Sequence, residues 1–337
     1  MTASTPNYLL LGQLSRDFIV TTLDEVLVDI PGGNLIYAAV GLSRWDSNIG
    51  LISRIGEDYP RNWLEQFNQK GCDTRGIRIL PESHDLRSFM AYTSRMSYTR
   101  DDPVSHFARL GIPFPKALLG YRDTSHQLNN TTTLAPLSIR QSDIPESYRH
   151  ARAAHVCPID FLSHSLLPTA LRTMGVNTVT LDPSAGYMHP AFWDDVLSLL
   201  SGLTAFMPTE RKIRDLFRGR TEDLWEMAEE LSKFGCDFIV IRSMKDGVRL
   251  YDCDGKNRWH VPVYPSEVSD PTGMDHAFCG GFLAGYQQTY DPVIALLYGS
   301  VSESLVGEGS GPFYAHAALP ELTEARLNSL KSLIRVV

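Results

Sequence analysis

The sequence is poor in cysteine, in basic charge and in long hydrophobic runs. Its five cysteines are dispersed without a C-x-x-C pair, which favours a reducing compartment over a disulfide framework. Lysine and arginine total 31 against 39 acidic residues, so the net charge of −8 argues against non-specific nucleic-acid binding. No apolar run approaches the roughly 20 residues of a membrane span, and residues 1–7 are too short and polar for a signal peptide. We therefore expect a cytoplasmic protein with neither a nucleic-acid nor a membrane partner.

Several motifs that would indicate other chemistries are also missing. There is no Walker loop and no Gly-x-Ser-x-Gly elbow. The glycine-rich segment Gly307–Gly311 follows a helical pattern rather than a strand, so it is not a dinucleotide fingerprint. His150, His155 and His164 are spaced irregularly, and we predict no metal site from them.

Strand and helix patterns alternate from residue 153 onward. The predicted strands are 153–158, 176–181, 203–207 and 237–242, and helical patterns lie between and after them. Repeated strand–helix units indicate a parallel sheet covered on both faces, with ligands at the carboxyl ends of its strands. We expect a single α/β domain over 1–337.

A polar turn that runs into an apolar, small-residue helix is the most informative segment. Asp270 or Thr272 can cap the turn, Gly273 lets the backbone approach a ligand, and a helix begins near residue 275. Unpaired N–H groups and a helix dipole then point at one spot, which makes an anion site. The alternative is an ordinary capped helix start that binds nothing.

This segment, Asp270-Pro-Thr-Gly-Met-Asp-His-Ala-Phe, resembles in register the signature Asp-Thr-x-Gly-Ala-Gly-Asp-Ala-Phe of the ribokinase-like (PfkB) carbohydrate kinases. The N-terminal half resembles the family too, through Gly12-x-x-x-x-Asp17, Gly32-Gly33, Gly56-x-Asp58 and Gly71-x-Asp73-Thr74. The resemblance implies a three-layer α/β/α fold with a mostly parallel central sheet and a small β-lid. We expect the lid strands from about 12–30 and 77–110, and an irregular insertion over about 100–150 that covers or borders the site.

The resemblance also implies roles for individual residues. His276 stands at the family's catalytic aspartate, Asp275 at its second glycine, and Gly273 holds the transferring phosphoryl group. A sugar-like acceptor would meet the residues Asp17, Gly32, Gly33 and Tyr37, of which the last replaces a family asparagine. Histidine is itself a competent base, whereas a carboxylate at position 275 repels phosphate oxygens.

The nucleotide side departs furthest from the family. Thr209 and Lys212 replace the asparagine and glutamate of Asn-x-x-Glu, and Arg242 and Gly247 begin and end a run that retains one glycine of Thr-x-Gly-x-x-Gly. With Asp270 and Thr272, these residues form the implied nucleotide site. The resemblance implies ATP and Mg²⁺, and the altered motifs argue against both.

Three functions therefore stay open at this point, of which the third is a different hydrolysis or transfer chemistry that uses the His–Asp pair. The first is an ATP-dependent kinase that phosphorylates a hydroxymethyl group of a sugar or nucleoside, with His276 or Asp275 as base. The second is a catalytically impaired relative that binds a small molecule or regulates. Exposed lid strands also offer edges through which a homodimer could form.

Overall fold

The computed structural model describes residues 5–124 and 129–337, which form two sheets and the helices around them. The strands, in chain order, are Tyr8–Leu11 (β1), Ser15–Val20 (β2), Val26–Gly32 (β3), Ile49–Ile55 (β4), Cys72–Ile79 (β5), Arg87–Ser94 (β6), Ser97–Thr99 (β7), Ala153–Val156 (β8), Thr178–Leu181 (β9), Ala205–Phe206 (β10), Phe238–Ser243 (β11), Gly247–Asp252 (β12), Arg258–Val261 (β13) and Arg335–Val336 (β14).

The large sheet is parallel over most of its width. Its strand order is β14-β13-β12-β11-β10-β9-β8-β1-β4-β5. The strands from β5 to β11 pair in parallel, and β11 to β14 form an antiparallel edge. Apolar strands such as β1 and β4 are buried along their whole length, as strands covered on both faces must be. The expected fold class is thereby confirmed.

Helices cover both faces of this sheet. They are Asn34–Ser43 (α1), Arg61–Gln69 (α2), Pro103–Arg109 (α3), Phe161–Thr173 (α4), Trp193–Leu199 (α5), Glu210–Leu216 (α6), Leu224–Ser232 (α7), Met274–Thr289 (α8), Pro292–Val306 (α9) and Pro320–Lys331 (α10). Helices α1, α8 and α9 share one apolar core with the sheet, and α4 to α7 share the other. No helix within 5–124 or 129–337 has the length and apolar character needed to span a bilayer.

Glycine allows α1 and α8 to cross with their backbones in contact. A Cβ on Gly280 would overlap the Ala38 carbonyl oxygen, and a Cβ on Gly41 would overlap that of Ala277. This close approach fixes the first half of α8, and hence the loop before it, against the middle and the last turn of α1.

The second sheet is the lid, with strand order β3-β2-β6-β7. It therefore comes from residues 15–32 and 87–99. The expected segment beginning near 77 is wrong at its start, because residues 72–79 pair with β4 as the outer strand of the large sheet. A strand of that length can extend either sheet, and pairing alone decides which. The outer strands of the lid are β3 and β7, and dimerisation through them stays a prediction.

The segment expected to be an irregular insertion contains helix α3 and short 3₁₀ turns in its described part. Phe107 and Leu118 pack beneath the lid with Phe18 and Phe89. Further along, Asp143 forms a buried ion pair of 2.7 Å with Arg54 of β4. Residues 125–128 of the insertion lie outside the described residues.

Candidate active site

Three neighbouring strands of the large sheet end at one place. Asp182 directly follows β9, Met207 directly follows β10, and Arg242 lies near the end of β11. Because β9, β10 and β11 are parallel, these ends meet at one edge of the sheet. The loop at Gly273 and the start of α8 face the same edge, since Arg242 donates a hydrogen bond to the main-chain oxygen of Asp275.

Arg242, Asp182 and Lys212 form a buried ion triad. Asp182 Oδ2 lies 2.7 Å from Arg242 Nη2, and Asp182 Oδ1 lies 2.7 Å from Lys212 Nζ. The Asp182 side chain is fully buried, and those of Arg242 and Lys212 are 5% and 9% exposed. Burial opposes the charge on Asp182, but the guanidinium and the ammonium outweigh it and hold the pKa of that carboxyl well below its usual value.

Arg242 has further partners that fix its orientation. Its Nε and Nη2 atoms donate to the Met207 carbonyl oxygen at 3.2 and 2.7 Å, and Nη1 donates to the Asp275 carbonyl. The guanidinium thus ties the ends of β9 and β10 to the first turn of α8.

The Asp275 carboxylate is turned onto its own helix. Its Oδ1 atom accepts a hydrogen bond of 3.0 Å from the His276 main-chain N–H, one of the donors that would otherwise face an anion. Burial raises the pKa of Asp275, but His276 and Arg242 outweigh burial, so the net shift is downward. An ionised carboxylate therefore stands where the resemblance places a glycine.

His276 lies between two carboxylates. Its Nδ1 is 3.7 Å from Asp182 Oδ2, and its Nε2 is 3.6 Å from Asp275 Oδ1. The side chain is 22% exposed, so it faces both the triad and the open side of the loop.

Mg²⁺ does not fit this group of side chains. Ligand atoms of Asp182, Asp275 and His276 lie within 4.8 Å of one another, which is close enough to surround an ion. However, both oxygens of Asp182 are already paired with the cations of Lys212 and Arg242. The charges of Lys212 and Arg242 offset those of Asp182 and Asp275, so the group has no net negative charge to attract a divalent ion. Mg²⁺ also prefers oxygen and water ligands in an octahedron, which this group does not supply.

The other side of the loop carries the residues expected to hold the acceptor. Asp17 of β2 is buried and accepts a hydrogen bond of 2.5 Å from the Ser15 hydroxyl. Burial raises the pKa of Asp17 to about 6, against the opposing effects of Ser15 and Arg100. A Cβ on Gly32 would overlap the Asp17 carboxylate, and Gly33 has a φ of 100°, so both positions require glycine.

Tyr37 lies between Asp17 and the loop. Its hydroxyl is buried without a hydrogen-bond partner, and burial together with the charges of Asp17 and Asp270 raises its pKa well above the ordinary value. Asp270 Oδ1 accepts a hydrogen bond of 2.9 Å from the Thr272 main-chain N–H. The hydroxyl of Thr272 donates a hydrogen bond of 3.1 Å to the hydroxyl of Tyr92.

The remaining nucleotide-side residues serve the chain itself. The Thr209 hydroxyl accepts from the Lys212 N–H at 3.4 Å and caps α6. Gly247 begins β12 and lines a cavity of only about 10 Å³ with Arg95, Met274 and Glu303 among others. Burial raises the pKa of Glu303 to about 7.

Sequence reasoning missed three residues of this region: Asp182, Tyr92 and Glu303. The position of Asp182 could have indicated it, because a carboxylate directly after a buried parallel strand lies where such sheets bind ligands. The other two lie on the lid and on α9, and only packing brings them to the loop.

The known proteins that this chain resembles are sugar or nucleoside kinases. Residues 161–313 match the model of the pfkB family carbohydrate kinases. The chain is 27% identical to a cytidine kinase of Thermococcus kodakarensis over 82% of this chain and 87% of that protein. It is 22% identical to a 5-dehydro-2-deoxygluconokinase of Clostridium botulinum over 88% of this chain and 85% of that protein.

Solved structures show the same fold. A Ribokinase II from E. coli in complex with ATP and Mg²⁺ superposes with a TM-score of 0.70 at 16% identity, covering 97% of this chain and 100% of the other. A Burkholderia thailandensis nucleoside kinase in complex with inosine gives 0.67 at 17% identity, covering 96% and 99%. Residues 161–313 therefore match the PfkB carbohydrate kinases, the whole chain has the ribokinase-like fold, and the loop at 270–276 departs from the family signature at residues 275 and 276.

Proposed function

We propose that this protein binds a sugar or nucleoside in the acceptor half of the fold, and that the ATP-dependent phosphoryl transfer of its family is impaired. The observation that carries this proposal is the buried triad of Lys212, Asp182 and Arg242 on the nucleotide side. It is the alternative that the sequence left open.

The triad leaves little to attract a phosphate chain. A guanidinium has five N–H donors, and those of Arg242 are directed at Met207, Asp182 and Asp275. The charges of Lys212 and Arg242 are balanced by those of Asp182 and Asp275. Removing one partner from a buried ion pair costs about 3–5 kcal/mol, so drawing either cation onto a phosphate is unfavourable.

The acceptor half supports the proposal through Asp17 and the two glycines beside it. The Asp17 carboxylate lies against Gly32, and the left-handed conformation of Gly33 starts α1 beside it. A carboxylate in such a place accepts hydrogen bonds from ligand hydroxyls. The names of the similar cytidine kinase and 5-dehydro-2-deoxygluconokinase support a hydroxylated sugar or nucleoside as ligand.

A second candidate is the ATP-dependent kinase itself. The pairing of His276 Nδ1 with Asp182 Oδ2 at 3.7 Å favours it, because a carboxylate orients a histidine that acts as general base. His276 would take the proton of the acceptor hydroxymethyl group as its oxygen attacks the γ-phosphorus and ADP leaves. Cations of the triad would then have to reorient toward the phosphates.

Isothermal titration calorimetry separates the two functions. The purified protein is titrated with ATP, with and without Mg²⁺, and with a panel that includes ribose, cytidine and inosine. We expect saturable binding of at least one hydroxylated compound, no ATP binding at millimolar concentration, and no ADP release in a coupled assay. Mg²⁺-dependent ADP release that requires the acceptor, and that His276→Ala abolishes, would overturn the proposal in favour of the kinase.

A further inference from the structure

We propose that Tyr37 is a specificity-determining residue that separates the acceptor half from the loop at Gly273. The protein then binds its ligand through the ligand's hydroxyl groups, and the ligand does not contact the main-chain amides of the loop at Gly273. This inference rests on the proposed binding function and adds the chemistry by which the ligand is recognised.

The first observation is the contact between the Tyr37 ring and Gly273. Gly273 has a φ of 78°, and a Cβ there would lie 2.5 Å from Tyr37 Cδ2 and closer still to Cγ and Cδ1. The ring therefore packs directly on the glycine backbone. Tyr37 is only 2% exposed, so the ring fills the space above the loop.

This contact has a chemical consequence for the loop. The N-terminus of α8 favours a negative group, and Gly273 is the position at which such a group would approach the backbone. An aromatic ring offers no hydrogen-bond donor from its face, and that face is electron-rich. With Tyr37 in place, a phosphate or hydroxymethyl group coming from the side of Asp17 meets the ring instead of the amides.

The second observation is the unpaired hydroxyl of the same residue. The Tyr37 hydroxyl and Asp270 Oδ2 are both buried without a hydrogen-bond partner. The charges of Asp17 and Asp270 are close enough to the phenol to affect its ionisation. A buried polar group of this kind is unfavourable until it finds a hydrogen-bond partner.

A ligand hydroxyl satisfies these groups, because it accepts from the phenol and donates to a carboxylate at the same time. A phosphate or carboxylate would face Asp17 and Asp270 and be repelled. A neutral, polyhydroxylated ligand therefore suits the Tyr37 hydroxyl and Asp270 Oδ2 better than an anion does.

Two variants divide the roles of the ring and the hydroxyl. Tyr37→Phe keeps the ring and removes only the hydroxyl, so we expect at least a tenfold loss of affinity for the compound that the wild-type protein binds. Tyr37→Asn removes the ring. Because Asp275 also covers the helix start, Tyr37→Asn is combined with Asp275→Gly and His276→Asp, and inorganic phosphate is the probe.

The triple variant should bind phosphate at least tenfold more tightly than the double variant Asp275→Gly/His276→Asp, as measured by calorimetry. Equal phosphate affinity of the triple and double variants would overturn the proposal that Tyr37 separates the acceptor half from the loop. So would a Tyr37→Phe variant that binds the wild-type protein's compound with unchanged affinity. Tyr37→Leu replaces Tyr37→Asn if the latter does not give a cooperative thermal transition. ATP turnover by the wild-type protein would refute the proposed function alone, because the phosphate comparison needs no identified ligand.

Discussion

Arg242 Nη2 and Asp182 Oδ2 are 2.7 Å apart in the interior of the protein, at the ends of two strands that β10 separates. In the family pattern the position of Arg242 belongs to a threonine of a phosphate-binding loop. Here the arginine instead connects three elements of its own chain. Under the function proposed above, this pair keeps the guanidinium from a phosphate.

Removing the guanidinium should strongly destabilise the protein. Arg242→Met leaves Asp182 buried with one cation fewer, and we expect the free energy of unfolding to fall by about 3–5 kcal/mol in urea denaturation. The matched control is Arg218→Met, whose partner Asp215 lies 2.8 Å away on the surface, where a pair contributes at most about 1 kcal/mol. Equal losses in the two variants would show that the triad is not stabilising.

Reverting the catalytic loop alone should not restore nucleotide binding. In Asp275→Gly/His276→Asp the helix start is freed, but Lys212 and Arg242 stay on Asp182. We expect no saturable ATP binding by this double variant, because both cations stay neutralised by Asp182. Calorimetry with ATP and Mg²⁺ checks this, and binding by the double variant would place the whole defect in the loop.

Asp17→Asn should stabilise the protein at neutral pH and weaken ligand binding. Burial raises the pKa of Asp17 to about 6, so between pH 4 and 6 the folded state holds a proton that the unfolded chain has lost. The stability of the wild-type protein therefore falls as pH rises through this range. We expect the free energy of unfolding of Asp17→Asn to exceed that of the wild-type protein by about 2–3 kcal/mol at pH 7.5, and we expect this difference to vanish near pH 4.

The measurement is urea denaturation at a series of pH values. Asp101→Asn is the control, because the exposed side chain of Asp101 has no burial penalty to relieve. A gain for Asp17→Asn that is independent of pH would show that charge burial is not its cause.

Gly280→Ala should destabilise the protein although alanine is the better helix former. Helix propensity alone predicts a gain of about 1 kcal/mol. The added Cβ, however, would overlap the Ala38 carbonyl and lie 2.9 Å from the Leu42 nitrogen, and both are backbone atoms that cannot move independently. We expect a net loss of about 2–3 kcal/mol by thermal or urea unfolding.

Gly175→Ala is the control, because a Cβ at position 175 would contact no other atom. Its φ is 93° and no atom lies within 4 Å of the added Cβ, so only the cost of the left-handed conformation remains, about 1–2 kcal/mol. If Gly280→Ala were as stable as the wild-type protein, α1 and α8 would not be in backbone contact.

The fold could be predicted because its signals are local and repeated. Buried strands alternate with helices after residue 153, and the glycine-containing segments at 32–33 and 270–273 fall at the turns that begin α1 and α8. The start of the lid could not be placed, because residues 72–79 are equally suited to either sheet. Pairing with β4 is a contact between distant segments that no local pattern contains.

For the site, the sequence determined which side chains stand at the divergent positions, from Asp275 and His276 to Lys212 and Arg242. It could not determine what these side chains do, because a lysine beside an anion loop can bind phosphate or be neutralised. Only the tertiary structure decided this, by placing Asp182 between the two cations and Tyr37 on Gly273. The physical reason is that charge balance and excluded volume depend on which atoms meet in space, and these atoms come from segments far apart in the chain.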